Sequence, residues 1–223
     1  MDEIELCKKL ETTTQKIALF SGDRLISTGT GAAIRNDGVV LTANHVIGAF
    51  DKVPDPKIIV IGKGEKGEAL HQEYIPILKN ISFDTNTSEF VEPLEIDLAI
   101  LKPKEKTDVG NNFIPLCNEL SPVGTDVLMA GFPDEIKLPL GVDSKFNFNN
   151  PEMKKKEMEI KEKISFFMTL RMIKSGMIGA THKIIINGNF NSKNIHIEGA
   201  DYWIDNASTY GASGGALINS SGE

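Results

Sequence analysis

The feature that most constrains this chain is its rhythm of short apolar runs broken by turn residues. Runs rich in Val, Ile and Leu span Lys16 to Phe20, Gly31 to Ile34, Val39 to Thr42, Lys57 to Ile61, Leu98 to Leu101, Asp126 to Ala130 and Lys183 to Ile186, with Gly, Asn and Asp between them. Many short strands of this kind build a sandwich or a barrel rather than βαβ units, so an all-β fold is predicted. Arg35-Asn36-Asp37-Gly38 separates two of the runs. Asp-Gly is favoured in tight turns that need positive φ, which predicts a hairpin just ahead of His45.

One segment breaks the rhythm. From Asn150 to Lys163 the chain reads NPEMKKKEMEIKEK, with Asn150 placed as an N-cap, Pro151 at the first helical position, and Glu152/Lys156, Glu157/Lys161 and Glu159/Lys163 paired one turn apart. A helical insertion near 150–164 is predicted, with Met153, Ile160, Ile164 and Phe167 on one face. Periodicity does not separate a solvated surface insertion from a docking element.

Of the 223 residues 40% are hydrophobic and 25% charged, which suits one core-forming domain, or one domain made of two halves. The formal charge of -7 offers no basic field to a phosphate backbone, so nucleic acid is not an expected partner. The N-terminus opens on acids without an apolar signal region, and no run approaches a membrane span. Cys7 and Cys117 are the two cysteines, read as unpaired thiols in a reducing compartment. The expectation is a cytoplasmic protein without a membrane partner.

Three segments carry candidate chemistry. In Gly211-Ala212-Ser213-Gly214-Gly215, a serine stands among glycines shortly before the run Ala216-Leu217-Ile218. Such a frame suits a nucleophile on a sharply turned backbone, with the Gly211 and Ser213 amides free to converge on one oxyanion. Alone, it suits a flexible turn equally well. In Thr42-Ala43-Asn44-His45-Val46, a strand runs into a histidine packed by apolar neighbours, as a general base must be, although a buried structural histidine has the same context. His71, His182 and His196 sit in polar or irregular surroundings. In Ile96-Asp97-Leu98-Ala99-Ile100-Leu101, an acid opens a fully apolar strand. Its carboxylate is expected to be largely buried and therefore paired, for example with a histidine Nδ1–H, or else to make a local turn.

The order His, Asp, Ser is the one used by chymotrypsin-like folds. With Gly29-Thr30-Gly31, Gly131-Phe132-Pro133 and Asp205 through Ala216, these segments make the chain resemble the trypsin-like serine peptidases, in pattern the Deg/HtrA-type protease domain. The resemblance runs from about Lys16 to the C-terminus. It implies a single peptidase domain over 1–223 of two six-stranded antiparallel β-barrels, an N-terminal one over 15–103 with His45 and Asp97, and a C-terminal one over 104–223 with Ser213. It further implies that Ser213 attacks the scissile carbonyl, His45 moves the proton, Asp97 orients the imidazole, and the Gly211 and Ser213 amides form the oxyanion hole. No metal and no organic cofactor is called for, and the partner is a polypeptide substrate.

Departures from the family pattern sharpen the expectation. Ala212 stands where digestive relatives carry an aspartate, and no Ile-Val-Gly-Gly start is present, so activation by a new N-terminus is not expected. The acid that selects Lys or Arg six positions before the serine is replaced by Ala207, followed by Ser208; these two are the expected specificity-pocket residues, favouring small or aliphatic side chains, with Asp205 close by. The family pattern continues past Glu223, so the second barrel is expected to be truncated and the chain to be a fragment. A non-catalytic peptide-binding module on the same fold is the alternative. An esterase of the α/β-hydrolase type would need the acid between Ser and His, which is not the order here.

Overall fold

The computed structural model describes residues 1–63, 69–83, 94–107, 109–110, 112–117, 119–133, 171–190, 193–206 and 211–223. The helix expected over 150–163 lies outside these residues.

Six antiparallel strands, β1 (Thr14–Ser21), β2 (Arg24–Ala33), β3 (Val40–Thr42), β4 (Pro56–Lys63), β5 (Ala69–Phe83) and β6 (Leu94–Pro103), form a closed barrel in the order β1-β2-β3-β6-β5-β4. Closure comes from β4 returning to pair with β1 through Lys16↔Ile61 to Ser21↔Pro56. The interior holds Ile17, Leu19, Val40, Ile58, Val60, Tyr74, Ala99 and Leu101, contributed at alternate positions as the strand pleat requires. Each fully buried aliphatic side chain of this kind contributes about 1.5–3 kcal/mol. The expected hairpin joins β2 to β3: Gly38 N–H donates to the Arg35 carbonyl (3.2 Å), and Gly38 has φ 78°. Asp37 keeps negative φ, so only one residue of the Asp-Gly pair enters the left-handed region.

β1 does not alternate; its first six residues are all buried. The reason is a second layer on its outer side. Strands β7 (Asp126–Gly131), β8 (Met172–Phe190), β9 (Lys193–Ile204) and β10 (Ala216–Ile218) form a curled sheet in the order β10-β7-β8-β9. β8 pairs with β7 through Met172–Met177 and then with β9 from Ile178 onward, so its far part and β9 make a long two-stranded ribbon. Among the described residues this sheet is an open half-barrel beside the closed one.

A helix not anticipated from the sequence, α1 (Glu3–Thr13), covers the second sheet. Its Leu6 and Leu10 pack with Ala32 of β2, Ile114, Leu128, Ala130, Ala216 and Ile218 to form the second core. Its start is fixed by a capping box: Glu5 N–H donates to Asp2 Oδ1 (2.8 Å), and Asp2 N–H donates to Glu5 Oε2 (3.3 Å). No helix among the described residues is long and apolar enough to cross a membrane.

Candidate active site

His45 lies on a single helical turn, α2 (Asn44–Ile47), that follows β3 directly. Val46 and Ile47 are buried in the first barrel, so the adjacent imidazole is turned outward. The Val46 carbonyl also accepts from Ser27 Oγ (2.6 Å), pinning the turn to β2. Asp97 stands near the start of β6 and holds His45 at two points: Oδ1 accepts from the His45 backbone N–H (2.8 Å), and Oδ2 lies 2.5 Å from Nδ1. A carboxylate only accepts, so the ring proton sits on Nδ1 and Nε2 is left as the basic nitrogen.

The burial expected for Asp97 is not found. Its side chain is 51% exposed and that of His45 is 59% exposed. The β5–β6 register shifts between Lys79↔Ala99 and Ile81↔Ile96, so Asp97 lies in an irregular stretch of β6, and β3 pairs only with Ala99–Leu101. Asp97 is one pleat beyond that pairing, at the mouth of the barrel. It is paired, as anticipated, yet in contact with solvent.

Ser213 occupies a tight turn between β9 and β10. Gly215 N–H donates to the Ala212 carbonyl (2.9 Å), and Gly211 and Gly214 take φ of 83° and 80°. A Cβ at Gly214 would collide with the Thr30 carbonyl oxygen and Thr42 Oγ1, so only glycine fits there. The turn is thus pressed against the end of β3 that leads into α2. Thr30, fully buried on β2, ties it down: its N–H donates to the Ser213 carbonyl (2.9 Å) and its hydroxyl to the Gly211 carbonyl (2.7 Å). Phe132 N–H donates to the same hydroxyl (2.9 Å), and Thr42 Oγ1 donates to the Thr30 carbonyl (2.6 Å). Above Phe132 lies the Arg171 guanidinium, 5.0 Å from the ring centre, with Nη2 donating to the Thr14 carbonyl (2.6 Å). Burial lowers the Arg171 pKa, and the neighbouring Glu11 works against that shift.

His45 and Asp97 are therefore in direct contact, and the Ser213 turn is docked on the strands that carry His45. Ala207 and Ser208 lie outside the described residues. Asp205 is spent on structure: Oδ1 accepts from Met177 N–H (2.8 Å) and its own N–H donates to the Met177 carbonyl (3.1 Å). His182 and His196 are on paired strands rather than in irregular segments; His182 meets the Trp203 ring edge-on, and His196 Nδ1 lies 2.7 Å from Asn187 Oδ1. Sequence reasoning missed the part played by Thr30. Its signal was the Gly29-Thr30-Gly31 tripeptide, which shows small neighbours but not the partners far along the chain.

A closed barrel joined to a curled sheet, with histidine and aspartate on the first and a glycine-framed serine on the second, defines the chymotrypsin-like class of fold. The family model described as trypsin-like peptidase domain matches residues 29–223, and the chain belongs to that family. Among solved structures it resembles the crystal structure of Deg5, with a TM-score of 0.57 and 18% identity over 100% of this chain and 83% of that one. It also resembles the serine endoprotease from Yersinia pestis, with a TM-score of 0.51 and 19% identity over 100% of this chain and 55% of that one. No curated protein sequence matches the chain.

Proposed function

We propose that this protein is a serine endopeptidase working through His45, Asp97 and Ser213. The observation that carries the reading is the two-point grip of Asp97 on His45, which fixes both the position and the tautomer of the imidazole. In the first step Ser213 Oγ bonds to the scissile carbonyl carbon while His45 Nε2 takes its proton. The tetrahedral adduct then collapses, the C–N bond breaks, and His45 returns the proton to the leaving amine. Water repeats the sequence on the acyl-enzyme, and Asp97 stays ionised throughout, stabilising the imidazolium.

The oxyanion formed in the adduct is taken by the Gly211 and Ser213 amides. Supporting this for Ser213, the Ala212 carbonyl faces inward to Gly215 N–H. The N–H of a trans peptide points opposite its carbonyl, so Ser213 N–H is directed away from the turn's interior. Donors placed ahead of reaction in this way are each worth about 10²–10³ in rate.

The test is labelling of the full-length protein by a fluorophosphonate, beside Ser213→Ala and His45→Ala. Labelling in the wild type and its loss in both variants is the expected result; equal labelling of either variant would remove that residue from the mechanism. For the residue before the cleaved bond, Ala207 and Ser208 suggest small or aliphatic side chains, and a peptide library cut mainly after Lys or Arg would overturn that preference.

A further inference from the structure

We infer that Thr30 is a positioning residue for the proposed reaction, setting the orientation of the Ser213 turn from the opposite barrel; this rests on the peptidase reading above. The direction of its hydrogen bonds makes the case. Phe132 N–H can only donate, so the Thr30 hydroxyl oxygen is its acceptor and the hydroxyl hydrogen is left for the Gly211 carbonyl. The chain Phe132 N–H to Thr30 Oγ1–H to Gly211 C=O therefore has one polarity. Thr30 N–H fixes the Ser213 carbonyl in addition. The peptide planes after Gly211 and after Ser213 are held by one residue, and the plane between them by Gly215.

With the planes on both sides of Ser213 fixed, its φ and ψ are fixed, and with them the origin of its side chain. The Thr30 carbonyl is meanwhile bonded by Thr42, one residue before the cap of the His45 turn. Base and serine are thus registered against the same residue, through the two peptide groups that flank it. The three bonds made by the Thr30 and Thr42 hydroxyls are buried, where an unmade hydrogen bond has no water to replace it.

The experiment compares Thr30→Val, which keeps the shape and removes the hydroxyl, with Thr30→Ser, which keeps the hydroxyl. Hydrogen exchange is followed over 211–216 and over 58–61 as a reference, together with kcat and KM on a peptide ester well below each melting point. In Thr30→Val, exchange over 211–216 is expected to rise about tenfold or more while 58–61 stays unchanged. The value of kcat is expected to fall about 10²-fold with KM within about twofold, and Thr30→Ser to restore both. Unchanged exchange over 211–216, an equal rise over 58–61, or wild-type kcat in Thr30→Val would each overturn the inference. A wild type inert to fluorophosphonate would sink the peptidase reading instead, and exchange alone would then decide the role of Thr30.

Discussion

Tyr74 carries a phenol into the core of the first barrel, and desolvation pushes its pKa up to about 12. Below the ordinary tyrosine range the phenol is neutral in folded and unfolded chains alike. Above it, the unfolded chain ionises first, so this residue's contribution to stability is lost as pH rises toward about 12. Urea unfolding at pH 9 and pH 11 is expected to show a smaller alkaline loss for Tyr74→Phe than for the wild type. At this scale the sequence was informative about chemistry and poor about surroundings. His45, Asp97 and Ser213 stood out because their flanks matched what a base, an acid and a nucleophile need. The exposure of Asp97 was not legible, because it depends on where a neighbouring strand, β3, stops pairing. The bonds of Thr30 were hidden for the same reason, since Phe132 and Gly211 are distant in the chain.

Strands were easier to foresee than helices. The runs read from Val, Ile and Leu fall within β1, β4, β6, β7 and β8 and overrun β2 and β3 by one residue each, whereas β5, with its interleaved polar residues, and β9 were not picked out. Helix α1 was not legible although Asp2 and Glu5 have the spacing of a capping box, because its apolar face is short, with only Leu6, Leu10 and Thr13 buried. Its role is structural and measurable. Leu10 is fully buried against strands of both halves, so Leu10→Ala is expected to lower unfolding stability by about 2–5 kcal/mol. A loss under about 1 kcal/mol in urea would mean that α1 lies loosely on the sheet.

The molecule as a whole divides its candidate chemistry between two bodies, and the relation between them is the part least visible in sequence. Local patterns specified strands and turns, but the seating of Ser213 on Thr30 and Thr42 is a long-range event. Refolding from denaturant is therefore expected to show strand formation by circular dichroism before reactivity in a pulse of fluorophosphonate. Labelling that rises in step with the earliest strand signal would contradict this order. The consequence reaches to the ribosome. During translation the histidine and aspartate emerge and fold long before the serine, and the serine is seated only when it docks on a finished barrel. A nascent chain thus lacks the assembled triad proposed above for as long as the Ser213 turn has no finished barrel to dock on.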